Sequence, residues 1–264
     1  MTKLSIQLAG LTDRGKLRPN NEDALCVEPE LGLLVVADGM GGHQSGEKAS
    51  GIAVSSIPTN FRQQSAPAGE VIDKRFSQET NRLGFCLKVA NHMIHEAAKR
   101  SVHDKGMGTT CTAACICNDL LSVAHVGDSR CYLIRQERID QLTADHSLLM
   151  EKVRHGLISK EQATGPEQNI LTRSLGTEAD VQVDISEHPL LPGDVVVLCS
   201  DGLDKELTND QVLQTVLQVS DPLQLAQQLI DMANAAGGRD NITVAVARVE
   251  KTGLSESIKG FFRR

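Results

Sequence analysis

The chain has 264 residues, of which 40% are hydrophobic and 23% charged, with a net charge of −7. This balance fits a globular protein with a full core, and the lack of a basic stripe excludes nucleic acid as the expected partner. No apolar run reaches the ~18 residues of a membrane span, and the opening MTKLSIQLAG lacks the apolar centre of a signal peptide.

In chain order, alternation or short apolar runs predict strands over 5–11, 24–28, 33–37, 109–117, 121–126, 131–135, 181–185, 195–199 and 242–249. Helical spacing predicts helices over 46–62, 76–101, 147–155, 209–219 and 222–235. Residues 63–74 read as a polar loop. Residues 156–168 read as an excursion with a short helix, SKEQA, before Gly165-Pro166. The strands come in neighbouring groups, which argues for antiparallel sheets covered by helices and against a doubly wound parallel sheet. The seven cysteines include no C-x-x-C pair and read as reduced core residues of a cytoplasmic protein. Zinc on Cys111, Cys115 and Cys117 is the weaker reading, because TTCTAACICN has the pattern of a buried strand.

The stretch VVADGMGGHQSGEKAS, Val35 to Ser50, has the order strand, glycine turn, helix. It is not a nucleotide loop. A P-loop needs Lys directly after its second Gly, and Glu47 follows Gly46 here, with Lys48 one place late. A dinucleotide fingerprint fails as well, because Gln44 stands where its last Gly belongs. A carboxylate, Asp38, before a glycine turn suits a hard cation better.

The same grammar recurs. Glu22 and Asp23 in NNEDA, Asp38, Asp128 in HVGDSR, Asp201 in VLCSDGL and Asp240 in GGRDNITV each lie beside Gly or Asn at a strand end or turn. Any one of them is an ordinary turn, but strand ends of two stacked sheets can converge. Two carboxylates ~4 Å apart repel by roughly 4 kcal/mol at an effective dielectric near 20, so a cluster needs protons or cations. Oxygen donors without histidine favour Mg²⁺ or Mn²⁺ over zinc. Two such ions ~3.5–4 Å apart can turn a bridging water into hydroxide near neutral pH, an in-line nucleophile for a phosphoryl group. Arg18, four residues before Glu22, offers a planar fork for phosphate oxygens.

TDRGKLRPNNEDA, VVADGMGGHQSGE, GTTCTAA, AHVGDSRCYLIR, LTADHSL, LTRSLGT, VVLCSDGL and GGRDNITV follow one another in this order. With these motifs the chain resembles the metal-dependent serine/threonine phosphatases of the protein phosphatase 2C (PPM) family, in their compact bacterial form. The resemblance runs from about Gly10 to Val249. It implies an α+β fold with a central antiparallel β-sandwich flanked by helices on both faces, a four-layer α-β-β-α arrangement. It implies one phosphatase domain over 1–250 and a short tail over 251–264. It also implies two Mn²⁺ or Mg²⁺ ions and a third, weaker one. Asp38 would bridge the pair, Gly39 would lend its carbonyl, and Asp201 and Asp240 would bind one ion. Glu22 and Asp23 would act near the other, largely through water. Asp128 would help hold the third ion, and Arg18 would bind phosphate. The catalytic set is then Arg18, Asp38, Asp201 and Asp240. Implied partners are phosphorylated proteins, with a Ser/Thr kinase and its targets on the other side of the reaction, and the chain would be a monomer.

Departures are specific. Met40 stands where animal members carry a histidine general acid, which leaves the acid open and makes His43 a candidate. Asp204 stands where many relatives carry Thr, a change that bears on the flap at 147–169. His146, Ser129 and Arg173 read as scaffold, and Cys199 lacks the C-x5-R of a cysteine phosphatase. The competing class is a silent binding module on the same fold, which loss of a metal aspartate would favour; Asp38, Asp201 and Asp240 are all present. A third reading keeps the chemistry with a phosphoserine on an anti-sigma antagonist as substrate. The tail SESIKGFFRR reads as frayed, with membrane or partner docking as the alternative.

Overall fold

Alternate residues of the central strands enter different cores, and this stacks the chain into layers. In β3 (Leu33–Met40), Leu33, Val35 and Ala37 face one helical layer. Leu34 and Val36 face the space between the sheets. In β10 (Val195–Cys199), Val195, Val197 and Cys199 face the other helical layer, while Val196 and Leu198 face inward. β11 (Ile242–Lys251) divides in the same way.

The computed structural model describes residues 4–41, 44–63, 72–159, 162 and 165–251. One sheet has the order β1 (Leu4–Asp13), β11, β10, β7 (Arg130–Arg135), β8 (Arg138–Gln141). The other runs β2 (Asp23–Glu28), β3, β5 (Cys111–Cys117), β6 (Leu120–Val126), β9 (Asp184–Pro189), with the short β4 (Gly108–Thr109) beside the end of β3. The strand pairs are antiparallel. Helices α1 (Gln44–Arg62) and α2 (Gln78–Lys99) cover the second sheet. α5 (Asn209–Gln218) and α6 (Pro222–Ala236) cover the first. α3 (Leu148–Arg154) and the single turn α4 (Asp201–Asp204) complete the order. This is the four-layer α-β-β-α sandwich. Among the described residues no helix is long and apolar enough to cross a membrane.

Some elements differ from the expected ones. The expected strand over 109–117 breaks at Thr110, which leaves the ladder to clasp Asp38. Thr110 N donates to Asp38 O at 2.9 Å, and Asp38 N donates to Thr110 Oγ1 at 2.9 Å. The expected strand over 181–185 is displaced to β9. Val181 and Val183 pack on the helical core without joining the ladder. The chain just before them is pinned by Asn91, whose Nδ2 donates to the carbonyls of Glu178 and Ala179. Apolar spacing there reported burial, not strand pairing. β8 was not expected, because its hairpin turns on Gln136 and Glu137, both at positive φ, in place of an Asn-Gly signal. All seven cysteines are free, and Cys111 and Cys115 are buried in the helix-side core. The SKEQA segment and the tail from 252 onward lie largely or wholly outside the described residues, as does His43.

Candidate active site

The acidic motifs meet at one edge of the sandwich, where β3, β6 and β10 end and β2 and β11 begin. Asp23 lies directly opposite Asp38 in the β2–β3 ladder, so their side chains share a face. Glu22 reaches the same edge from the other side. Its backbone N–H donates to Asn241 Oδ1 at 2.8 Å, and its carbonyl accepts from Gly39 N at 3.1 Å and Ser50 Oγ at 2.6 Å. A Cβ on Gly46 would stand 2.2 Å from Glu22 Oε2, and one on Gly39 would stand 2.1 Å from Gly46 O. These two glycines are what let the end of β3, the first turn of α1 and the Glu22 carboxylate approach so closely.

A cleft of about 590 Å³ opens over this edge, with Arg18, Glu22, Asp38, Asp128, Asp201 and Asp240 in its lining. Met40 and Arg173 line it too. A neighbouring hollow of about 570 Å³ shares Asp128, Asp201, Lys205 and Asp240 and reaches Ser147, Leu149 and Met150 at the flap. Every expected site residue except Asp23 and Gly39 therefore faces the cleft. Asp23 is buried beneath it, where its Oδ2 accepts from Ser200 Oγ at 2.7 Å, just past β10, and from Thr243 Oγ1 at 2.6 Å, in β11 of the opposite sheet.

The carboxylates feel one another. Burial, then the charges of Asp23, Asp201, Asp128 and Asp240, hold Asp38 well above the usual carboxylate range. Burial pushes Asp23 up to about 7 against its two hydroxyl donors, with Asp201 and Asp240 adding to the rise. Asp128 is also pushed up to about 7, by burial and then by Asp201 and Asp145. Asp23 Oδ1 and Asp201 Oδ1 are buried with no hydrogen-bond partner. Oxygen donors in excess, at high negative charge and with orphaned lone pairs, fit a hard divalent cation. Among the described residues no three acidic, histidine or cysteine side chains already converge as a ready-made cage. Basic side chains attend the carboxylates: Arg18 Nη2 lies 2.8 Å from Asp240 Oδ2, and Lys205 pairs with Asp201.

A second set of polar residues braces this edge, and the motifs gave no role to four of them, Thr110, Ser200, Asn241 and Thr243. Ser200 and Thr243 hold Asp23, Thr110 holds the Asp38 backbone, and Asn241 donates to the carbonyls of Arg14 and Asn20 in the loop that carries Arg18. Ser129, expected as scaffold, lies 2.7 Å from Thr110 Oγ1. Asp204 meets Arg130 at 3.0 Å, and Arg130 in turn grips Asp145 with two nitrogens. This ties the turn at α4 to the segment entering the flap. His146 anchors that segment: its N–H donates to Gly127 O, and its Nδ1 accepts from Gly127 N.

Comparison with known proteins gives this edge a lineage. A family profile, Protein phosphatase 2C, matches residues 17–236. The chain is 38% identical over 240 residues to "Serine/threonine phosphatase stp" of Listeria innocua serovar 6a, covering 88% of this chain and 92% of that protein. Among solved structures it is similar to Stp1 from Staphylococcus aureus, with a TM-score of 0.83, 32% identity, and coverage of 93% of this chain and 96% of that one. It is also similar to the catalytic domain of PstP in complex with two manganese ions, with a TM-score of 0.80, 32% identity, and coverage of 94% and 100%. The chain belongs to the protein phosphatase 2C family. Its enzyme class is protein serine/threonine phosphatase.

Proposed function

We propose that residues 1–250 act as one phosphatase domain that hydrolyses phosphoserine and phosphothreonine on proteins at a dinuclear Mn²⁺ or Mg²⁺ site. The observation that carries this reading is the set of part-buried, mutually repelling carboxylates from separate strand ends, facing one cleft beside Arg18 above the buried Asp23. Asp38, Asp201 and Asp240 would hold the ions with the Gly39 carbonyl, with Glu22 and Asp23 at one of them and Asp128 at a third, weaker site. When bound, the ions would supply a hydroxide nucleophile near neutral pH and offset phosphoryl charge. The chain supplies the rest. Arg18, half exposed, can turn from Asp240 to the phosphoryl oxygens and orient them with its fork. Ser200 and Thr243 fix Asp23, and Thr110 fixes the backbone of Asp38. The substrates would be targets of a Ser/Thr kinase that the enzyme opposes in bacterial signalling. The names of its bacterial relatives, serine/threonine phosphatases, support the phosphatase part of that reading, and the enzyme would act as a cytoplasmic monomer.

The test is phosphate release from a phosphothreonine peptide with Mn²⁺, Mg²⁺ or excess chelator, with Asp38→Asn in parallel. Turnover that needs metal and falls by on the order of 10²-fold or more in the variant is expected. Folded wild-type protein inactive in every metal would sink the proposal.

A further inference from the structure

Lys205 follows Asp201 by one helical turn, and its ammonium reaches back to Asp201 Oδ2. The same Nζ lies 3.7 Å from Asp240 Oδ2. Arg18 meets that Asp240 oxygen from another side, but Arg18 is 49% exposed, while Lys205 is 30% exposed and rooted beside the carboxylates. Asp201 and Asp240, assigned above to a divalent ion, thus share on their Oδ2 atoms a cation that belongs to the chain, while Asp201 Oδ1 stays without a partner.

A carboxylate oxygen that holds an ammonium must release it before the same lone pair can coordinate a metal. The arriving ion also meets a like charge within a few ångströms. Lys205 has no acceptor capacity of its own, so it can contribute nothing to the coordination of an ion. We propose that Lys205 is a tethered counter-cation that competes with the divalent ion for Asp201 and Asp240, stabilising the metal-free enzyme and setting its metal affinity. Lys205 is a positioning residue on this account, and the inference rests on the reading of those two aspartates as ligands. Its sign separates it from a bracing role. A lysine that held Asp201 ready for metal would strengthen binding, and its removal would weaken it. A competitor does the opposite.

The experiment is calorimetric titration of chelator-treated, buffer-exchanged protein with Mn²⁺, alongside thermal melts in chelator. The proteins are wild type, Lys205→Met, Lys205→Gln, Lys205→Arg and Asp201→Asn. Met retains the length of the stem without the charge, and Gln serves if Met does not fold. The expected result is a dissociation constant lowered roughly tenfold in the neutral variants, a lower melting point in chelator, and near-wild-type values for Lys205→Arg. An unchanged or weaker Mn²⁺ affinity in the neutral variants overturns the competition. If wild type binds Mn²⁺, Asp201→Asn does not, and Lys205→Met binds no tighter, the metal reading stands and this inference falls. If wild type itself binds none, both fall.

Discussion

His125 and Asp128 stand on either side of Gly127, at the end of the same strand, and enter buried polar regions of opposite character. On the His125 side the partners match. Gly127 N donates to His146 Nδ1 at 3.0 Å, so His146 carries its proton on Nε2, which donates to Asp184 Oδ2 at 3.2 Å. Arg173 Nη1 donates to Asp184 Oδ1 at 2.8 Å. On the Asp128 side, carboxylate oxygens outnumber their donors: Asp23, Asp38, Asp128, Asp201 and Asp240 share one edge, and two of their oxygens have no partner. In the first region His146 and Asp184 find their partners within the protein alone, which is what scaffold requires. The second is costly to fold unless protons or cations offset its charge. That imbalance, more than any one motif, separates a functional edge from a structural one.

The largest expected effect breaks the acidic side. Asp23 and Asp128 have their carboxyls raised to about 7 when folded. A carboxyl with a raised folded pKa costs stability when ionised, so chelated protein should lose stability as pH rises through about 7. Asp38, held well above the usual range by burial and four acidic neighbours, should show this most directly. In chelator at pH 8, Asp38→Asn should melt above wild type. With free Mn²⁺ at ~100 times its dissociation constant, wild type should gain about 2.7 kcal/mol and the variant little, so the order reverses. Paired melting curves check this, and an order that never crosses would refute the clustered-charge account.

The next effect sharpens the other side. Burial, then the neighbouring His146, depresses His125 to about 3, against the charges of Asp145 and Asp184. Below pH 6.5 the unfolded chain takes up a proton that the folded chain refuses, so stability falls with pH. Between pH 7.5 and pH 5 this amounts to about 2 kcal/mol. His125→Gln loses packing but also loses that titration. Its deficit against wild type, measured by urea unfolding, should shrink by about that amount over the same interval. A constant deficit would show that His125 titrates alike in both states.

How much of this was readable in the sequence differs between the two sides for a physical reason. The strands were legible where a short apolar run rich in β-branched residues is bounded by turn residues, as in β3 and β10, which are buried on both faces. The acidic edge was legible because Asp38, Asp201 and Asp240 sit in local Asp-Gly or Asp-Asn turns at strand ends, with Asp128 after a glycine and Glu22 and Asp23 after an asparagine pair. The bracing was not. Asp23 meets Ser200 and Thr243 across 177 and 220 residues of chain, and nothing near either hydroxyl marks such a contact. Lys205 on Asp201 is a local i, i+4 pair, yet α4 is too short to announce itself by periodicity. β9 was misplaced because Val181 and Val183 are half-buried for a reason other than strand pairing.

The smallest expected effect tests whether the completed network is as independent of the site as its hydrogen bonds imply. Asp184 accepts from Arg173 and His146, which hold its carboxyl well below the usual range, the His146 contact contributing most. Asn at this position keeps one acceptor oxygen and turns an amide N–H₂ toward the other donor. His146 cannot relieve that conflict by shifting its proton, since its Nδ1 already accepts from Gly127. One hydrogen bond is therefore lost, ordinarily about 0.5–1.5 kcal/mol. The Asp184 side chain is 42% exposed, so water replaces part of it and the cost should stay below about 1 kcal/mol. Asp184→Asn should lower the melting point by no more than about 4 °C and leave the Mn²⁺-dependent gain unchanged. A changed Mn²⁺ gain would mean that the histidine network and the acidic edge, joined through Gly127, act as one site.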